Sequence, residues 1–204
     1  MQYNFSWLGL PIIQYPPDTM IMQEIIWDVK PDLIIETGVA YGGSIVFYAS
    51  MMELLNNNGL VIGIDIDFSR HLDAIQKHPQ FKRIMLVEGS STNKTIIKDI
   101  KHLVQDRKVL VVLDSDHSHA HVLDELNAYA PLVAVGSYCV VFATIIEDLP
   151  EESRPSNVPW CKGNNPKTAV HEFLKHNSDF EINKELEKKL IHSTISDGFL
   201  RRVK

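Results

Sequence analysis

The chain has 204 residues, enough for one domain with a buried core, and its 45% hydrophobic and 23% charged content is that of a globular protein. A net charge of −6 without a long Lys/Arg run counts against nucleic acid as a partner. No apolar stretch approaches membrane-spanning length and no basic-then-apolar leader opens the chain, so no membrane is expected and the cytoplasm is the expected compartment.

Residues 1–17 hold Trp7, Tyr15, Pro16 and Pro17 and read as an N-terminal arm ahead of a single domain over 18–204. Asp18 or Thr19 is expected to cap a helix running to about Val29, with Ile21, Ile25 and Ile26 on one face and Pro31 as its stop. Leu33–Ile35 is too short for a helix and reads as a buried strand. A helix is predicted from about Ser44 to Leu55, closed by Asn56–Gly59.

Leu60–Asp65 is the second strand, followed by a helix over about Ser69–Lys77. Arg83–Glu88 is the third, followed by a helix over about Asn93–Gln105. Val109–Asp114 is the fourth, followed by a helix from near Ser118 to before Pro131. Ser137–Phe142 is the fifth; Cys139 lies within it as a buried thiol, and with Cys161 it forms no metal or redox spacing.

The stretch from about Leu149 to Asn164 is rich in proline, glycine and charge and is the candidate lid. Asn165-Pro166 opens a helix to about His176 as an N-cap followed by proline. The tail holds Phe180–Ile182, Leu190–Ile195 and Gly198–Val203, with a hairpin turn suggested at Asp197-Gly198. Apolar strands alternating with helices predict an α/β, Rossmann-like, mostly parallel sheet covered on both faces.

In such a sheet ligands sit beyond the carboxyl ends of the strands. The first strand ends Glu36-Thr37-Gly38-Val39-Ala40-Tyr41-Gly42-Gly43-Ser44. The glycines permit a tight turn and close approach of a ligand, and the helix then points its first N–H groups at that ligand. A dinucleotide fingerprint would have glycine where Ala40 stands, and Glu36 would repel a pyrophosphate. A sulfonium cofactor with an amino-acid tail suits that carboxylate.

Asp65 ends the second strand, where it can accept both ribose hydroxyls of an adenosine, and Gly89-Ser90 follow the third, where adenine contacts usually lie. Asp114 ends the fourth, a natural magnesium ligand at a strand tip. His117, three residues on, is a candidate general base. A zinc cluster of His117, His119 and His121 is the alternative; otherwise His119 and His121 are solvated residues of the opening helix turn.

Seven segments carry a family resemblance: Trp7–Gly9, Ile35–Ser44, Gly63–Asp67, Glu88–Ser91, Leu113–His117, Gly136–Tyr138 and Asn164–Val170. With them the chain resembles the cephalosporin hydroxylase/rhamnosyl O-methyltransferase family of class I S-adenosylmethionine-dependent methyltransferases over nearly its whole length. The resemblance implies a seven-strand sheet ending in an antiparallel hairpin and methyl transfer to a hydroxyl of a sugar or glycosylated secondary metabolite. It carries cofactor binding to Glu36, Thr37, Gly38, Tyr41, Gly42, Ser44, Asp65, Gly89, Ser90 and Asp114. Catalysis falls to His117 and Asp114, since catechol O-methyltransferase, a more distant relative, places its base three residues after the first metal ligand.

The family also implies Mg²⁺, bound by Asp114 and by an acidic residue or pair after the fifth strand. Here that place reads Phe142-Ala143-Thr144, and a methyl group cannot ligate a metal. Glu147 and Asp148 lie past the strand tip and read as solvated loop residues. The rival readings are a member that binds the cofactor without metal or turnover, a metallo-hydrolase using the histidines, and a nicotinamide dehydrogenase, which Glu36 and Ala40 disfavour. A homo-oligomer is compatible with the sequence, which does not define the assembly.

Overall fold

The computed structural model describes residues 5–150, 152 and 157–204. Two short strands, β1 (Phe5–Trp7) and β2 (Leu10–Ile12), pair antiparallel around Leu8 and Gly9, whose positive φ values suit a two-residue hairpin turn. Helix α1 (Pro16–Val29) follows, then β3 (Leu33–Thr37), α2 (Gly43–Leu54), β4 (Leu60–Asp65), α3 (Leu72–Gln76) and β5 (Ile84–Glu88). The chain continues through α4 (Lys94–Val104), β6 (Val109–Leu113), α5 (His119–Tyr129) and β7 (Tyr138–Val141). It ends with α6 (Pro166–His176), β8 (Phe180–Ile182), α7 (Lys184–Glu187) and β9 (Phe199–Arg202).

Strands β3 to β9 form the sheet in the order β5-β4-β3-β6-β7-β9-β8. The first five in that order are parallel, and β9 runs antiparallel to both β7 and β8. Alternation along the strands feeds two cores: Ile34, Leu110, Val112 and Val140 join the core of α1 and α2, while Leu33, Ile35, Val109 and Val111 join that of α4, α5 and α6. Both faces are covered, which is why these strands are continuous apolar runs. The winding reverses between β3 and β6, and the crevice beyond their carboxyl ends is where such a sheet binds ligands.

Helix α2 is apolar nearly all round, and the N-terminal hairpin shields the side that the sheet does not. Trp7 meets the Phe47 ring edge-on at 4.8 Å and donates from Nε1 to Ser50 Oγ at 3.0 Å. Gln14 donates to the Tyr48 hydroxyl at 3.2 Å. The hairpin comes so close that a Cβ on Gly43 would lie 2.2 Å from the Pro11 carbonyl oxygen.

Two local expectations need correction. Helix α1 begins at Pro16 with Tyr15 as N-cap, not at Asp18 or Thr19, because proline is preorganised for the first helical turn. Asp18 is instead buried and accepts from Ser193 Oγ and from the amide and hydroxyl of Thr194, fixing the C-terminal segment to α1. At the C-terminus, β8 and β9 pair as expected, but residues 183–198 join them and Asp197-Gly198 makes no tight hairpin turn. Gly198 is small because a Cβ there would meet the Val141 carbonyl oxygen at 2.2 Å.

Gly43→Ala should therefore act against alanine's better helix propensity. We expect a destabilisation of about 1–3 kcal/mol from overpacking. Hydrogen exchange should accelerate first over residues 5–14. An unchanged unfolding midpoint with unchanged exchange would show that the hairpin is not packed as described.

Candidate active site

The turn after β3 is defined by contacts with its two neighbouring strands. Gly38 has φ +82°, and a Cβ on it would lie 2.1 Å from the Asp114 carbonyl oxygen, so the chain after β6 passes directly over it. The Asp114 amide donates to the Thr37 carbonyl at 2.9 Å. On the other side, the amides of Val39 and Ala40 donate to Asp65 Oδ2 at 2.7 and 3.0 Å. Ala40 has φ +47°, so it adopts the left-handed conformation that glycine would take more readily. Gly42, at φ +87°, is the N-cap of α2.

Three carboxylates surround this turn. Glu36 is wholly buried, and neither of its oxygens has a hydrogen-bond partner among the described residues. Burial pushes its pKa well up; the nearby Ser44 hydroxyl opposes this, while the charges of Asp114 and Asp65 reinforce it. Asp114 keeps 23% side-chain exposure, and burial raises its pKa against the opposing effect of His117. His117 Nε2 lies 3.4 Å from Asp114 Oδ1, and the His117 ring meets Trp160 edge-on at 5.0 Å.

Two cavities meet at this turn. The larger, about 490 Å³, is lined by Gly38, Asp65, Gly89, Ser90, Asp114 and His121, among others. This is within the usual range for a small-molecule site. The smaller, about 180 Å³, lies under the N-terminal arm between Gln14, Gly38, Tyr41, Ser44, Asp114 and His117. Of the residues expected to bind cofactor, Glu36, Thr37 and Gly42 line neither: Glu36 and Thr37 are buried in β3, and Gly42 makes room for the Ile75 side chain.

Several residues that the sequence reading missed also line these walls. Ile66 is 71% exposed over the larger cavity, an apolar residue set between Asp65 and Asp67. Trp160 comes from the candidate lid, of which residues 151 and 153–156 lie outside the described residues. An aromatic residue in a polar loop was the available signal for it; Gln14 gave none.

His119 and His121 are not the solvated residues expected. His119 Nδ1 is 2.7 Å from Thr168 Oγ1 and its Nε2 is 3.1 Å from Glu172 Oε2. His121 Nε2 is 3.1 Å from both Ser91 Oγ and Ser115 Oγ, and its pKa is raised mainly by its hydrogen bond to Glu125. Nor is Glu147 a solvated bystander: it accepts from the Gly163 amide at 2.7 Å and from Asn165 Nδ2 at 2.5 Å, while Asp148 pairs with Lys167 at 2.7 Å.

Among the described residues, no group of three or more His, Cys, Asp or Glu side chains converges on a metal position. Asp114 with water would make a weak magnesium site, not a tight one. No described helix is long and apolar enough to cross a membrane.

The fold, with its crevice of carboxylates and glycines, is that of a Rossmann-like methyltransferase. The model of the rhamnosyl O-methyltransferase/CmcI family matches residues 1–203, and the chain belongs to this family of S-adenosylmethionine-dependent O-methyltransferases. A rhamnosyl O-methyltransferase of Mycobacterium leprae is 30% identical over 202 residues, covering 97% of this chain and 82% of its own. Among solved structures, CmcI with Mg and S-adenosylmethionine superposes with TM-score 0.71 at 21% identity, covering 99% of this chain and 78% of its own. A Bacillus cereus O-methyltransferase holding S-adenosylhomocysteine superposes with TM-score 0.64 at 14% identity, covering 93% and 82%. MycE with Mg, S-adenosylhomocysteine and mycinamycin VI gives TM-score 0.56 at 17% identity, covering 90% and 48%.

An ionised Glu36, buried with only the nearby Ser44 hydroxyl to offset its charge, costs the folded protein free energy. Its raised pKa means that this cost is absent below about pH 4.5, the ordinary glutamate value, and grows as pH rises toward the folded-state value. Glu36→Gln should therefore raise the unfolding midpoint of the ligand-free protein at pH 8 by about 2–8 °C, and by little at pH 4.5. A midpoint that falls at pH 8 would show that Glu36 has a stabilising partner.

Proposed function

We propose that this chain transfers the methyl group of S-adenosylmethionine to a hydroxyl of a sugar or glycosylated small molecule. The observation that carries this reading is the convergence of Glu36, Asp65 and Asp114 on one glycine turn whose Gly38 and Ala40 line both cavities. Such a site repels a pyrophosphate and favours a ligand carrying a sulfonium and an ammonium. The names of the rhamnosyl O-methyltransferase relatives and the mycinamycin complex of MycE support the acceptor class.

In this reading the adenosine occupies the larger cavity. Asp65 meets the ribose with the acceptor capacity left over from Val39 and Ala40, and Gly89, Ser90 and Ile66 line the base. The amino-acid tail runs under the N-terminal arm past Tyr41 and Ser44, at the start of α2. Glu36, Thr37 and Gly42 lie behind the turn and shape it without touching the ligand.

When bound, S-adenosylmethionine supplies a methyl carbon made electrophilic by its sulfonium. The acceptor hydroxyl attacks from the His117 side. His117, with Nε2 turned toward Asp114, takes the proton at Nδ1 as the oxygen–carbon bond forms and the carbon–sulfur bond breaks. Trp160 backs the His117 ring and keeps it over the crevice. Orienting the two reactants is the remaining contribution of the site.

The test is titration of the protein with S-adenosylhomocysteine, followed by methyl transfer from S-adenosylmethionine to a rhamnoside. Absence of cofactor binding would remove the reading. His117→Ala should lower turnover by about a hundredfold or more while leaving S-adenosylhomocysteine affinity unchanged. Surviving turnover would place the base elsewhere.

A second reading, a cofactor-binding member with slow turnover, is favoured by Ala143. It stands beyond β7 with φ +56°, a left-handed conformation that Asp tolerates better than Ala. Ala143→Asp should therefore fit the backbone and raise both Mg²⁺ affinity, read by calorimetry, and methyl-transfer rate. If the unaltered chain already binds Mg²⁺ tightly and the Asp variant is no better, Ala143 does not stand at the metal position.

A further inference from the structure

Helix α5 carries a buried acid that the proposed reaction does not use. Glu125 has no exposed surface. Its Oε1 accepts from Ser115 Oγ at 2.7 Å and lies 3.4 Å from His121 Nε2, while its Oε2 has no partner among the described residues. His121, Glu125 and Tyr129 are spaced i, i+4 and i+8, so they share one face of the helix.

That face meets two loops that the sheet does not join. Ser91 follows β5 and Ser115 follows β6, with β4 and β3 lying between those strands. His121 Nε2 is 3.1 Å from the hydroxyl of each serine. Tyr129 Oη donates to the Ser91 carbonyl at 2.7 Å, so α5 holds the first loop at two points. Both serines and His121 line the larger cavity.

We propose that His121, Glu125 and Tyr129 form a latch that ties the loop after β5 to the loop after β6 and so sets the width of the adenosine half of the cleft. The inference rests on the methyltransferase reading for the identity of the ligand. In this role His121 and Glu125 are positioning residues. The buried carboxylate orients the imidazole, and the imidazole holds two otherwise independent walls at a fixed separation before the ligand arrives, which lowers the ordering cost of binding.

The test compares dissociation constants for S-adenosylhomocysteine and for 5′-methylthioadenosine, which keeps only the adenosine half. The main variant combines His121→Leu with Glu125→Met, removing both polar groups together so that neither is left buried alone. It should bind both ligands tenfold or more weakly, with an unfolding midpoint within a few degrees of the wild type. Glu125→Gln, which keeps an acceptor for Ser115, should stay within threefold of the wild type. If the double variant does not fold, Ser91→Ala decides: it should weaken both ligands threefold or more with its midpoint unchanged.

Unchanged affinity in a folded double variant, or in Ser91→Ala, overturns the latch. So does a loss seen with S-adenosylhomocysteine but not with 5′-methylthioadenosine. A wild-type protein that binds neither ligand removes the methyltransferase reading and the latch with it. Wild-type binding with unaffected variants removes the latch alone.

Discussion

The complete burial of the Glu36 carboxyl beside Asp65 and Asp114 is the constraint around which the rest of the crevice is arranged. The three acids come from β3 and from the ends of its two sheet neighbours, and the charges of Asp114 and Asp65 add to the cost that burial puts on ionising Glu36. Two of the charges are partly offset by the protein: Asp65 by the Val39 and Ala40 amides, Asp114 by His117. Glu36 is offset by little. Ionising such buried acids costs less beside a cation, and stability given up at such a place is a common mark of a binding site. The glycine at 38 follows from the same crowding, since the backbone of Asp114 and Ser115, just after β6, passes where a Cβ would stand.

The strand ends that carry these acids, and the glycine turn beside them, were legible from the sequence because they are local. Continuous apolar runs ending in acid or glycine define parallel strands and their tips without any knowledge of contacts. Asn165-Pro166 likewise gave the start of α6, where Asn165 and Thr168 form a capping box. What the sequence concealed depends on partners far along the chain. His121 looks like a solvated helix residue until Ser91 and the buried Glu125 are brought to it. Asp18 looks like a cap until Ser193 and Thr194 arrive from the other end of the chain. Spacing rules see one turn of helix, whereas these contacts span 30 residues in one case and 175 in the other.

Position 143 shows how a family resemblance and a particular chain can diverge. The chain matches the family over nearly its whole length, yet the β7 tip offers Phe142 and Ala143 where carboxylates are expected. The next acids along the chain are already engaged, Glu147 with Gly163 and Asn165, and Asp148 with Lys167. In the proposed reading, cofactor recognition draws mainly on the ends of β3, β4 and β5, whereas a metal would depend on the ends of β6 and β7.

A crystal structure of the protein with S-adenosylhomocysteine tests the central claim most directly. The account requires the adenosine in the cavity bounded by Asp65, Ser90 and His121, the amino-acid tail under Gln14 near Tyr41 and Ser44, and the sulfur above Gly38, between Asp65 and Asp114. Density for the ligand outside these two cavities, or none at saturating concentration, would contradict it.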